Sequence, residues 1–394
     1  MNNRYIAIIL AAVATTAAAA GGIEDVLGSI ERNNSAIKAA TASLHADSIA
    51  ISASNNLEDP TVDFEYNFGK IGDKWAIGVS QGFDWPGAYS ARGRANRDRI
   101  KALGSAMLTQ RLEVLYNAKN LCLNVVYTNR QIEAQRLILN NVNELYDKYS
   151  KAFEHGEASI IDLNKLKIER IAARQALDEL EVKLATLKAE LKGLNNNSDF
   201  ATVSLDALTA YPADDLAPID EYEQAFAAFD PQNAYFMYSG ESIKSDVRAS
   251  KMDCFPKFDL GYKYTNELGD GFNGITVGAS IPLFSNRRKV AAAKARAATN
   301  ELSRASYSDE NTARIKSQYA EAVSLRAQLT QYGDVIGDES NFTMLRKSLD
   351  GGQMSLLDYL MELRYFLEAK SKYLEVEHSY HATIASLSRY SLLR

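Results

Sequence analysis

The sequence is short of the residues that proteins use for covalent staples and for most catalysis. Cysteine occurs twice, at Cys122 and Cys254, too few for a disulfide framework, and their positions leave pairing open. The four histidines are His45, His155, His378 and His381. The last two stand three apart on one helix, a spacing that serves a metal only with a third ligand, and none stands nearby. Nucleophile elbow, phosphate-binding loop and paired-cysteine metal motif are all missing, which disfavours an enzyme and a resident cofactor. Lysine and arginine number 44 against 50 acidic residues, and no basic tract stands out, so nucleic acid is not an expected partner. Beyond residue 20 no apolar run approaches the ~20 residues of a membrane-spanning helix. Proline is scarce, with none between Pro86 and Pro212 and none after Pro282, which leaves two long stretches free to be helix.

What is present begins with a leader. Arg4, an apolar run from Tyr5 to Val13, and small residues through Ala18–Ala20 predict a secretory signal peptide over residues 1–20. No cysteine follows it, so no lipoprotein attachment is expected.

The strongest pattern is an internal repeat. Gly156-Glu157-Ala158-Ser159-Ile160-Ile161-Asp162-Leu163 returns as Gly352-Gln353-Met354-Ser355-Leu356-Leu357-Asp358-Tyr359, an offset of 196. The same offset takes Pro60 to Pro256, Asp63 to Asp259, Tyr66 to Tyr262, Gly78 to Gly274, Gly82 to Gly278, Pro86 to Pro282 and Arg92 to Arg288. Glycine and proline answer backbone demands and seldom coincide through composition alone. The expected organisation is therefore two copies of one unit, 21–198 and 219–394, joined by an irregular connector at 199–218.

Each copy carries two strands. Thr61 to Phe68 alternates polar and apolar, and a second strand runs from Trp75 to Trp85; the hairpin spans 61–85. In the second copy, over 257–282, Phe258, Leu260, Tyr262 and Tyr264 face one way and Ile275, Val277, Ala279 and Ile281 continue the pattern. Period-two alternation is a strand with two different faces, which also suits a soluble sheet with one wet face. Three features favour a membrane. The strands have the ~9–11 residues that cross a bilayer at a tilt. Trp75 and Trp85, with Tyr66 and Tyr262, read as interfacial aromatics. Finally, the chain supplies no further strands, so each hairpin is expected to pair with other copies rather than stand alone in water.

The remainder reads as helix. Residues 23–54 form one helix, and a second, shorter one leads to hairpin 257–282. The stretch from Gly87 to about His155 keeps an apolar stripe, and its return, Leu163 to Leu194, has heptad-like leucines, the signature of coiled-coil packing. A helix over about 285–350 and another from Leu356 repeat the plan. Between them lie the tip turns, 155–160 and 351–356. Gly156 and Gly352 are placed to end one helix in the left-handed conformation. Ser159 and Ser355 then cap the next, with Asp162 and Asp358 completing S-x-x-D capping boxes. Capping accounts for both aspartates unless they also line a passage.

Leader, duplicated hairpins, long rods and the paired turn G-x-x-S-Ω-Ω-D (Ω apolar) together resemble the TolC-like outer-membrane efflux family across essentially the whole mature chain. The resemblance implies a mixed α and β membrane protein. Its long antiparallel coiled-coil helices would form a periplasmic α-barrel, and three copies would form a 12-stranded transmembrane β-barrel, four strands from each. It implies a homotrimer in outer-membrane lipid, with a periplasmic adaptor and an inner-membrane pump as partners. The tip residues Gly156, Ser159, Gly352 and Ser355 would dock the adaptor, and Asp162 and Asp358 would ring the channel constriction. Two positions depart from some members: Met361 stands where a second aspartate occurs, and Met354 where an arginine of an ionic latch occurs. The expected function is a passive duct of a tripartite efflux system. The alternatives are a duct for type I protein secretion and, in a different class, a periplasmic coiled-coil tether.

Overall fold

The computed structural model describes residues 21–69, 72–200, 203–282, 284, 288–336 and 340–393; the leader expected at 1–20 lies outside the described residues. Helices α1 (Gly21–Asn33) and α2 (Ser35–Ala53) precede strands β1 (Thr61–Asn67) and β2 (Lys74–Phe83), followed by α3 (Pro86–Glu154) and α4 (Ile160–Leu194). Then come α5 (Ile219–Phe229), α6 (Pro231–Met252), β3 (Lys257–Glu267), β4 (Asp270–Ser280), α7 (Lys289–Ile336), α8 (Ser340–Asp350) and α9 (Leu356–Leu387). Two compact units result, and each draws on both sequence repeats: residues up to Ala36 with Arg111–Ala225 and Arg314–Arg394, and Ile37–Gln110 with Phe226–Ala313. Among the described residues no helix is long and apolar enough to cross a membrane.

In the first unit, Ile23, Val26, Leu27 and Ile30 of α1 pack on Ala118, Cys122, Val125 and Val126 of α3, and the same core continues along the α3–α4 seam through Leu139, Leu177, Leu184, Leu187 and Leu191. Cys122 is buried there as a free thiol, and burial pushes its pKa up to about 12; Cys254, in the other unit, is free and exposed. The seam follows the 3–4 leucine spacing of α4, as a coiled coil requires. The connector is fastened to this bundle. Asn129 Nδ2 donates to the Leu208 carbonyl at 2.8 Å, and Lys188 pairs with Asp206. Tyr211 lies between the two helix-borne histidines, stacked on His381 at 4.3 Å and tilted against His378 at 6.4 Å, while His378 stacks on Tyr127 at 4.7 Å. The two histidines thus serve packing. No group of three metal-binding side chains occurs among the described residues.

Two expected single helices are each two. The 23–54 helix breaks at Asn34, whose side chain accepts from Ala36 N at 2.9 Å and donates to the Leu194 carbonyl at 2.8 Å. Asparagine offers the backbone an alternative partner, and here it starts a new helix while tying it to the end of α4. The helix before the second hairpin is α5 and α6, divided at Asp230-Pro231. Asp230 caps α6 through Gln232 N at 3.0 Å, and Pro231 takes the first-turn position where its missing N–H costs nothing. Of the helix expected over 285–350, the described parts are α7 and α8; residues 337–339 lie outside the description.

The second unit contains the sheet, and here one expectation is corrected. The hairpins do not wait for other copies in order to pair. β2 pairs with β3, giving one antiparallel sheet in the order β1-β2-β3-β4. A single row, Asn67–Lys74–Glu267–Asp270, crosses all four strands at one end. The β3–β4 turn is only Leu268-Gly269, with φ +55° and +97°; two positive φ values are the mark of the turn whose twist matches a two-residue hairpin. Register puts most of the large apolar residues on one face: Val62, Phe64 and Tyr66; Trp75, Ile77 and Val79; Phe258, Leu260 and Tyr262; Ile275 and Val277. That face is bare, with Val62 and Phe64 each 67% exposed and Ile275 77%. The other face is mostly polar or small, with Phe272 opposite Thr265 the exception, and its charges pair across strands: Lys74 with Glu267 at 3.0 Å, and Lys263 with Glu65 at 2.8 Å.

Candidate functional site at the tip turns

Both tip turns are built by the same backbone device. Helix α3 ends with Gly156 at φ +77° and α8 with Gly352 at φ +68°. Gly156 N–H bonds the Phe153 carbonyl and Glu157 N–H the Ala152 carbonyl; Gly352 N–H bonds Leu349 and Gln353 N–H bonds Ser348. This pair of bonds is the Schellman closure, which satisfies carbonyls that a helix end would otherwise strand.

The caps differ between the copies. Ser159 Oγ accepts from Ile161 N at 3.1 Å, and the Asp162 carboxylate turns to Lys165 Nζ at 3.2 Å. Ser355 Oγ accepts from Asp358 N at 3.1 Å and donates to Asp358 Oδ2 at 2.6 Å. The reciprocal box expected in both copies is replaced by an ion pair in one and a serine–aspartate bond in the other. Asp162 is therefore charge-compensated, whereas among the described residues no cation pairs with Asp358. No bond joins the two aspartates among the described residues.

Beneath the turns lies an apolar cluster of Leu145, Leu166, Leu349, Leu356, Tyr359 and Leu363, with Tyr149 and Met354 packed against it. Met354 belongs to this cluster, so no ionic latch is made at that position. A polar network that the sequence did not suggest stands beside it. Tyr359 is fully buried, and its hydroxyl bonds Asn141 at 2.8 Å. Arg346 reaches Asn141 Oδ1 at 3.4 Å and Asp350 at 3.3 Å, and Lys148 bonds Asp350 at 2.8 Å, holding its carboxyl below the usual range. The one available signal was Asn140-Asn141, two poor helix formers inside a long helix.

The aromatics singled out by sequence are spread along the sheet. Tyr66 pairs with Trp75 in register near one end, and Trp75 also tilts against Tyr264 at 5.5 Å. Trp85 lies at the other end, stacked on Phe255 at 5.2 Å and near Phe258 at 6.1 Å. Tyr262 sits mid-strand, opposite Val79 and Ile275; Phe258 and Phe255, the latter passed over in the sequence, share the Trp85 end.

No family model and no curated protein matches the chain by sequence. Solved structures do. A membrane protein from Pseudomonas aeruginosa superposes with a TM-score of 0.77 at 13% identity, covering 93% of each chain. The CmeC outer membrane channel of Campylobacter jejuni gives 0.75 at 16%, covering 93% of this chain and 85% of that one. The outer membrane protein VceC of Vibrio cholerae gives 0.73 at 12%, covering 94% and 95%. The chain has the TolC-like fold of these outer-membrane channels, long helices with one four-stranded antiparallel sheet.

Proposed function

We propose that the protein is the outer-membrane duct of a tripartite efflux system. Substrates would pass down it without energy input of its own, delivered by an inner-membrane pump through a periplasmic adaptor. The observation that carries this reading is the sheet. Its apolar face is bare, its opposite face is mostly polar, and β1 and β4 each leave one edge of backbone unpaired. Edges of that kind are tolerated in a bilayer only when the sheet closes on itself, and four strands are too few for a membrane barrel. Three copies supply twelve, so the reading includes a homotrimer in outer-membrane lipid with its helices extending into the periplasm. Gly156, Ser159, Gly352 and Ser355 are the proposed adaptor contacts, and Asp162 and Asp358 the proposed constriction. Trp75 and Trp85 are the proposed interfacial anchors. The structural likenesses to outer-membrane channels and the amphipathic sheet favour a duct over a tether, which needs no such sheet; a duct for type I protein secretion would share both features.

The test compares two adjacent positions. Val277→Lys places a cation on the apolar face and should oppose insertion by about 2–4 kcal/mol, whereas Thr276→Lys, on the polar face, should leave insertion near wild type. Insertion is read as heat-modifiable trimer in outer-membrane fractions, and conduction as current in planar bilayers. Equal behaviour of the two variants, or no current from inserted wild type, would remove the duct.

A further inference from the structure

The sequence repeat and the sheet registers together define a seam that one chain lacks. The polypeptide has an internal junction between the second strand of the first copy and the first strand of the second, β2 with β3. If three copies close a barrel, the junction between chains joins β4 to the neighbour's β1, the same two strand types in the same order. The inference rests on the trimeric barrel proposed above and adds its register.

Strand bounds support treating the two junctions as equivalents. The repeat offset of 196 carries Lys74–Phe83 onto 270–279, and β4 is Asp270–Ser280. It carries Thr61 onto Lys257, the first residue of β3. In the internal junction Gly82 opposes Asp259 and Val79 opposes Tyr262. We infer that β4 of one copy pairs antiparallel with β1 of the next in the register Gly278 to Asp63, Thr276 to Glu65 and Ile275 to Tyr66.

Three independent constraints meet on this register. The first is the pleat. A one-residue slip would turn every β1 side chain to the wrong face, so only alternate registers keep Val62, Phe64 and Tyr66 level with Ile275 and Val277. The second is strand length. For all seven residues of β1 to find partners within β4, Asn67 must oppose 270, 272 or 274. The third is tilt. Because Asn67 and Asp270 lie in one row of the same chain, these choices step the sheet by zero, two or four residues per copy. At ~3.3 Å per residue and ~4.8 Å between strands, four strands then tilt by about 0°, 19° or 35°. Membrane barrels tilt ≈ 35–45°, which leaves Asn67 opposite Gly274. That is the register given independently by the internal junction.

Side-chain size agrees. The polar face of β4 is Gly274, Thr276, Gly278 and Ser280, and the β1 residues brought against it are Asn67, Glu65, Asp63 and Thr61. Small residues oppose long ones, as Gly78 opposes Lys263 and Gly82 opposes Asp259 at the internal junction.

The experiment uses the full chain in outer membranes, with Cys254→Ser removing the exposed native thiol. Thr276→Cys is combined in turn with Glu65→Cys, Asp63→Cys and Thr61→Cys, and each is oxidised and run on denaturing gels. A disulfide needs Cα atoms about 4.4–6.8 Å apart, which directly opposed residues meet and slipped ones miss. Thr61→Cys with Ser80→Cys, opposed within one chain, controls for oxidation and should give no covalent oligomer. The expected result is covalent trimer from the Glu65 combination alone. Crosslinking through Asp63 or Thr61 instead would overturn the register and leave the barrel standing. No crosslink from any combination, with native gels still showing trimers, would overturn the β4–β1 seam; loss of the trimers in the unsubstituted chain would overturn the barrel itself.

Discussion

Replacing a glycine by alanine should have opposite effects at two places in this chain. Gly352 has φ +68°, and nothing lies within 4 Å of where a Cβ would stand. Gly104 lies inside α3 at an ordinary helical φ and is equally open. Contact is thus removed as a variable and backbone conformation alone remains. At Gly104 alanine should stabilise by roughly 0.5–1 kcal/mol, because it lowers the entropy lost on forming the helix. At Gly352 a side chain in the left-handed region should cost about 1–2 kcal/mol. That cost falls on the turn bonds from Gly352 N–H to Leu349 and from Gln353 N–H to Ser348. The measurement is hydrogen exchange by mass spectrometry on peptides covering 345–360. Local opening should speed by a factor of about 5–30 in Gly352→Ala. Gly352→Asn should fall between alanine and wild type, because asparagine tolerates the conformation better, and Gly352→Val should be worst. Wild-type exchange in Gly352→Ala would refute the claim that backbone strain sets this turn.

Two further outcomes are expected. Asp358→Asn keeps an acceptor for the Ser355 hydroxyl but removes a charge that pairs with no cation among the described residues, so it should weaken cation preference and multivalent-cation block in planar bilayers; Asp162→Asn, whose charge Lys165 already offsets, should do less, and unchanged selectivity in both would leave the pair as helix caps. Burial pushes His381 down from 6.5 to about 4, with Arg130, His378 and Lys119 acting the same way and Asp214 against them. The docked histidine is therefore the weaker base, so the free energy that holds the connector is complete above about pH 6.5 and declines as pH falls from there through about 4. Exchange over 203–217, corrected for intrinsic rate, should rise between pH 7.5 and 5 in wild type and lose that dependence in His381→Phe; the same pH response in both would refute the assignment.

The parts legible in the sequence were those whose cause is local. Gly156 and Gly352 announced their turns because a left-handed residue must be paid for where it stands, and serine three positions on is a cap by chemistry alone. Alternation at 61–68 revealed two-faced strands for the same reason. The junction of β2 with β3 was not legible, because those strands are far apart in the chain and pairing over that distance leaves no local mark. Asn34 was missed because one asparagine in a helical pattern breaks it only when a partner such as the Leu194 carbonyl is in reach. Asn141 was missed likewise, since its role depends on Tyr359, more than two hundred residues away.

The two connections at the Trp75 end of the sheet are short: residues 68–73 in one hairpin and Leu268-Gly269 in the other. In the proposed orientation they are all that each copy shows to the world outside the cell. A typical antibody footprint draws on about 20–30 residues of each partner, more than the eight residues of these two connections. A binder selected on intact cells, whether an antibody or a phage tail fibre, would have to span neighbouring copies. It would then recognise the assembled mouth and ignore the single chain, which makes such a binder a reporter of assembly on living cells.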